Sequence, residues 1–153
     1  MEQYITSRKN SRIQQVRRLL SSRKEREQAG LFVADGTKLL DEAVKWWPGL
    51  ETVILSEGVE ASIPEGVEII RVPGEIMEYI SPMQTPQGAL FLCRLPEKTA
   101  FVPKTGMLLL DGIQDPGNIG TILRTADALE IPVVLLEGAS SPHSGQTREN
   151  GIE

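Results

Sequence analysis

The chain has 153 residues, 40% of them hydrophobic and 24% charged, which is the make-up of a folded globular protein and excludes a disordered one. No apolar run approaches the roughly 20 residues that span a bilayer, and the N-terminus is polar and basic, without the apolar core of a signal peptide. A single cysteine, Cys93, excludes an internal disulfide and a cysteine-held zinc, so a cytoplasmic location is expected.

The net charge of −5 argues by itself against a polyanionic partner. Its distribution argues the other way. Residues 1–26 carry eight basic and two acidic side chains, a net +6, and the rest of the chain carries −11. Such asymmetry suits a basic arm that meets a polyanion, although composition alone favours a solvated helix face.

Ile13, Val16, Leu19 and Leu20 recur at helical spacing, which predicts one amphipathic helix over residues 11–28, capped by Asn10 or Ser11 and closed at Gly30. Residues 31–33 follow as a short strand, Asp35-Gly36 as a turn, and 37–47 as a second helix stopped by Pro48-Gly49. Strands are predicted at 52–55, 67–72 and 88–94, with a short helix at 73–80 before the last of them. Strands alternating with helices indicate an α/β/α sandwich with a largely parallel sheet. Pro96 to Gly106 has no helical period and reads as a linker. Beyond it, a buried strand at 107–111, a loop at 112–117, a helix at 118–129 and a strand at 132–136 form one βαβ unit. Residues 139–153 lack a hydrophobic run and read as a disordered tail. A single βαβ unit has too few strands to bury both sheet faces, so the second domain is expected to be incomplete.

The stretch Asp111 to Ala126 carries the chemistry. Pro116 and Gly117 suit a tight turn after the strand, and Asn118 can cap the next helix. Gly120 permits close approach to the first helical turn, whose free N–H groups favour an anion. Arg124, one turn further on, can reach the same anion with its planar fork. An ordinary strand–helix turn with a surface arginine fits these generic features equally well. The segment lacks both the dinucleotide and the nucleoside-triphosphate glycine patterns.

Asp-x-x-x-Asp-Pro-x-Asn-x-Gly-x-x-x-Arg-x-Ala, carried by Asp111, Asp115, Pro116, Asn118, Gly120, Arg124 and Ala126, resembles the first signature motif of SpoU/TrmH RNA ribose 2′-O-methyltransferases. The N-terminal part is similar to that family's substrate-binding domain through Ile5-Thr6-Ser7 with Asn10, the basic helix, residues 30–36, residues 39–43 and Thr85-Pro86-Gln87-Gly88. Asp35 stands where the family usually has Glu. The resemblance covers about residues 5–138. It implies an RNA substrate-binding domain at 1–95, a linker at 96–105, the start of a SpoU methyltransferase domain at 106–138 and the tail at 139–153. The second domain is then an incomplete SPOUT-type α/β domain without the knot in which full-length relatives hold S-adenosylmethionine and dimerise.

The implied reaction is methyl transfer from S-adenosylmethionine to a ribose 2′-hydroxyl of rRNA or tRNA, rRNA being favoured, with no metal. Arg124 and Asn118 take the catalytic positions, and Arg8, Lys9, Arg12, Arg17, Arg18, Arg23 and Arg26 the RNA-binding ones. The cofactor residues, the homodimer and activity itself are expected of full-length relatives, and this chain alone is expected to be a truncated, inactive part. The alternative is a non-catalytic RNA-binding protein in which residues 1–95 do all the work. His143 reads as a solvent-exposed spacer, Trp46 and Trp47 as core packing in preference to base stacking, and Cys93 as a buried inert thiol.

Overall fold

The computed structural model describes residues 2–96 and 104–136 and divides into two compact units, Met1–Lys98 and Thr99–Glu153. Most of the stretch expected to be a linker, the expected tail and His143 lie outside the described residues.

The first unit is a five-stranded sheet of β1 (Glu2–Tyr4), β2 (Leu31–Asp35), β3 (Leu50–Ser56), β4 (Glu68–Val72) and β5 (Ala89–Arg94), in spatial order β1-β4-β3-β5-β2. Its helices are α1 (Ser11–Ser21), α2 (Arg23–Ala29), α3 (Thr37–Trp46) and α4 (Gly74–Ile80). β1, β4, β3 and β2 share one direction, and β5 runs against both of its neighbours. The sheet is therefore mixed, not largely parallel. The reason lies in α4, whose 7 residues rise only about 10 Å, too short to carry the chain back along a five-residue strand of about 17 Å. The chain re-enters the sheet where β3 ends, with Ser56 N–H donating to Gly88 C=O at 2.8 Å and Leu55 facing Ala89.

β3 and β5 are central strands with both faces covered, and their side chains divide by parity. Ile54, Leu90 and Leu92 join Ile13, Val16 and Leu19 of α1 and Ile76, Met77 and Ile80 of α4 in one core. Val53, Leu55, Ala89, Phe91 and Cys93 form the other with Leu40 of α3, flanked by Val59, Ile63 and Val67 from the β3–β4 loop. Each such large apolar side chain, fully buried, contributes about 1.5–3 kcal/mol.

The helix expected over residues 11–28 is broken at Ser22, which is extended (φ −133°, ψ 118°) and accepts a hydrogen bond on Oγ from Glu25 N–H. One serine thus ends α1 and caps α2. The apolar period also stops at Leu20, and α2 buries no side chain. Asn10 is the cap of α1, its side chain accepting from Arg12 N–H at 2.8 Å, and Gly30 closes α2 in the left-handed region at φ 64°. β1 has no counterpart in the sequence reading. Its Glu2 Oε1 accepts from Arg71 Nε at 2.8 Å, which fastens this three-residue edge to β4.

Cys93 is 1% exposed, and burial pushes its thiol up to about 11. The thiolate is the reacting form, so Cys93 is expected to resist Ellman's reagent in the native protein at neutral pH and to react at once in denaturant. The raised value also means that the folded state holds this proton while the unfolded state loses it. Its contribution to stability is complete below the ordinary value of 9.0 and declines as pH rises toward about 11. Rapid native labelling at pH 7 would contradict the burial.

The second unit contains β6 (Leu108–Leu110), α5 (Pro116–Ala128) and β7 (Val133–Leu135), with β6 and β7 paired in parallel from Leu108↔Val133 to Leu110↔Leu135. The strand expected to be buried is not: Leu108 and Leu109 are 37% and 51% exposed, and only Leu110 is covered. Two strands with one helix leave a sheet face open among the described residues.

Candidate functional site

An asparagine cap places the first functional region. The Asn10 cap starts α1 directly after the loop that carries Arg8 and Lys9, and Ile13, Val16 and Leu19 turn the opposite side of α1 into the core. The basic side chains are left outward, but the structure divides them. Arg12 pairs with Glu68, which also accepts from Thr52 Oγ1 at 3.0 Å, so Arg12 joins α1 to the sheet. Arg18 faces Glu25 at 3.8 Å and Arg23 faces Glu27 at 2.7 Å. Arg26 Nη1 donates to Leu19 C=O at 2.7 Å and so helps to close the end of α1. Arg8, Lys9 and Arg17 are exposed and form no ion pair among the described residues.

Arg8 and Arg17 converge instead on Tyr79 of α4, with guanidinium carbons 4.9 Å and 4.2 Å from the ring centroid. The Tyr79 phenol is lowered from its ordinary value, first by a hydrogen bond from Gln14, then by a hydrogen bond and charge from Arg17 and by the charge of Arg8, with desolvation opposing. Gln14 also donates from Nε2 to Arg8 C=O at 2.6 Å, which holds the loop before α1 against its first turn. Tyr79 and Gln14 were absent from the sequence reading. The only sequence signal is a tyrosine in a short helix, and a contact over some seventy residues has no local signature.

Two further motifs of the first unit come together. Gly36 N–H donates to Ala89 C=O at 2.9 Å, and Ser81 Oγ donates to Asp35 Oδ2 at 2.5 Å. A side chain at Gly36 would meet Gln87 Oε1 at 3.1 Å, and Gly36 has φ 121°. Asp35-Gly36 and Gln87-Gly88 therefore form one tight corner, which gives both glycines a structural reason.

Trp47 packs edge-on against Phe32, with ring centroids 5.7 Å apart, whereas Trp46 is 76% exposed. Core packing thus holds for Trp47 alone. Both tryptophans line an apolar cavity of about 230 Å³ beside α3.

In the second unit, Asp115 is the helix cap, not Asn118. Its Oδ1 accepts from Gly117 N–H at 2.6 Å and from Asn118 N–H at 3.3 Å, and Pro116 and Gly117 already belong to the first turn of α5. A proline at the first position suits a helix because its missing N–H would have no partner there. Asn118 and Arg124 are both exposed, and at 100° per residue they project from different sides of α5. Arg124 shares its side with Gly120, where an added side chain would meet nothing within 4 Å. Among the described residues, no close approach explains that glycine. Asp111 is exposed as well, and no group of three or more metal-ligating side chains exists among the described residues. The described residues of this unit do not enclose a cofactor: Asp111, Asn118 and Arg124 lie on an open surface, and the two cavities described are lined by first-unit side chains.

Fold and motif together define a mixed α/β substrate-binding domain followed by a SpoU-type strand–helix turn. Residues 10–90 match the family described as MRM3-like substrate binding domain, and the chain belongs to that family. Its homologues are SpoU/TrmH-type RNA methyltransferases. The chain is 31% identical over 147 residues to the 23S rRNA (guanosine(2553)-2′-O)-methyltransferase RlmP of Bacillus subtilis, covering 94% of this chain and 58% of that protein. Among solved structures, a TrmH-family RNA methyltransferase from Porphyromonas gingivalis superposes with a TM-score of 0.73 at 33% identity, over 86% of this chain and 54% of that one. The SpoU methyltransferase AviRb of Streptomyces viridochromogenes, solved in complex with AdoMet, gives a TM-score of 0.68 at 26% identity, over 87% and 55%. The chain spans about half the length of the relatives it matches.

Proposed function

We propose that this chain is the RNA-recognising part of a SpoU-type rRNA 2′-O-methyltransferase, acting in the cytoplasm, with the second unit contributing the first catalytic turn. The observation that carries this reading is the Asp111–Ala126 motif, seated on a strand–helix turn directly after an MRM3-like substrate-binding domain. In this reading residues 1–95 hold rRNA, and the basic loop and helix with Arg8, Lys9, Arg12, Arg17, Arg18, Arg23 and Arg26 supply its positive side. Arg8, Lys9 and Arg17 are foremost, because a carboxylate already engages Arg12, Arg18 and Arg23.

A ribose 2′-hydroxyl is a weak acid and loses its proton as it accepts a methyl group. A guanidinium stays charged, so Arg124 orients that hydroxyl and its neighbouring phosphate and stabilises the developing alkoxide; it does not act as the base. Asn118, on another side of α5, positions the turn or the RNA backbone.

Filter binding of transcribed 23S rRNA tests the reading. Retention is expected at about 50 mM salt, with log K falling linearly as log salt rises. Absence of any RNA retention at that salt would defeat it.

A further inference from the structure

Most arginines of the first unit end against carboxylates. Arg12, Arg18, Arg23, Arg71 and Arg94 all do so here. Arg8 and Arg17 do not, although α4 carries Glu75 and Glu78 beside the tyrosine on which both converge. Two cations held over one ring repel one another, and nothing else described in the chain needs them there. A ring face holds a guanidinium through its π cloud and leaves the planar N–H fork free at the edge. That fork matches the paired oxygens of a phosphate. Tyr79 is half-buried against the core of the first unit, so it is a fixed support. Gln14 fixes the loop bearing Arg8 from below. The result is two guanidinium groups that rest on one ring and have no carboxylate partner among the described residues, and such support lowers the ordering cost of binding an anion.

We infer that Arg8 and Arg17, supported by Tyr79, form a clamp for the phosphodiester backbone of the RNA strand. This rests on the proposed function and goes beyond it by selecting two cations and a tyrosine from the basic region. The clamp reads backbone, not sequence, so it sets where the strand lies and leaves base selection to other contacts. Tyr79 is a positioning residue.

The test is fluorescence anisotropy with a labelled RNA stem-loop across a salt series. Arg8→Gln and Arg17→Gln are each expected to weaken binding roughly tenfold at low salt and to lower the slope of log K against log salt by roughly 0.7–0.9. Arg94→Gln, on β5 and paired with Glu51 of β3, serves as the control and should leave both unchanged. Tyr79→Phe keeps the ring and loses only the phenol contacts of Gln14 and Arg17, so it should bind more tightly than Tyr79→Leu. Tyr79→Leu should weaken binding and abolish most of the further effect of Arg17→Gln, a coupling that a merely structural tyrosine would not show. Tyrosinate absorbance should place the Tyr79 ionisation higher in Arg17→Gln than in the parent, which confirms the contact in solution. RNA binding with an unchanged slope in Arg8→Gln and Arg17→Gln would overturn the clamp alone. A parent protein that binds no RNA at all would overturn the proposed function with it.

Discussion

Replacing Phe91 by Ala is expected to cost about 3–5 kcal/mol, against a typical total of about 5–15 kcal/mol for a domain. Phe91 is 1% exposed and sits on β5, the strand that joins β3 to β2. Its ring fills the core shared by Leu40, Val53, Leu55 and Cys93 on the α3 side. A cavity left there cannot collapse easily, because β2 holds β5 from Leu90 to Arg94 and β3 holds it from Ala89 to Cys93, with one register shift between Leu50 and Thr52, away from Phe91 and its partner Val53. For a first unit of this size each kcal/mol shifts the melting temperature by about 4–8 °C, so a fall of at least about 12 °C should be seen by circular dichroism. Trp46→Ala removes a larger side chain from the neighbouring helix, but that side chain is 76% exposed. Its effect should stay within about 0.5 kcal/mol. Equal losses from the two substitutions would mean that the α3 face is packed differently from the arrangement described.

The contrast between those two aromatic residues shows what a linear pattern conveys. Unbroken apolar runs in β3 and β5 report strands buried on both faces, and they are visible in residues 52–55 and 88–94 alone. The helical period of Ile13, Val16 and Leu19 likewise reports which side of α1 meets the sheet. Direction is a different matter. β5 pairs with β3 and β2 across tens of residues, and its reversal follows from the shortness of α4 together with the loop to Gly88, not from any property of residues 89–94.

Breaks and edges were also hidden. Ser22 is a modest helix residue that becomes a cap because no apolar partner follows Leu20 to hold a longer helix on the core. β1 is three polar or aromatic residues whose strand character comes wholly from β4. In the strand–helix turn of the second unit, Asn118 and Asp115 are both competent caps, and the choice between them depends on where the helix begins. Proline at position 116 decides it in favour of Asp115. The basic region was legible as a set of charges but not as a set of partners. Glu25 and Glu27 lie close enough in sequence to be weighed against Arg18 and Arg23, whereas Glu68 and Tyr79 reach Arg12, Arg8 and Arg17 only through the tertiary fold.

The 153-residue chain is expected to bind S-adenosylmethionine more weakly than about 1 mM and to transfer no methyl group to rRNA. Small-molecule sites usually bury about 70–90% of their ligand's surface within a formed cavity. The described residues of the second unit offer an exposed face instead. Leu109, Leu129 and Leu135 are 51%, 63% and 51% exposed, and Asp111, Asn118 and Arg124 stand open to water beside them. Water screens Arg124 there, so its charge does little for a developing alkoxide, which a dry and pre-oriented site would stabilise strongly. Orientation is the second deficit. In-line transfer requires the acceptor oxygen and the methyl carbon to be held at about 3–3.5 Å in one alignment, and an error of about 1 Å costs on the order of a hundredfold in rate. A helix with one open side fixes the RNA end of that line at best. Calorimetric titration with S-adenosylmethionine, run beside a tritiated-methyl transfer assay on 23S rRNA, checks the expectation. Micromolar binding or measurable turnover by this chain would show that an enclosed site exists, and Arg124→Ala would then reveal whether the open face of α5 takes part in it: lost transfer with retained cofactor binding would place Arg124 at the ribose.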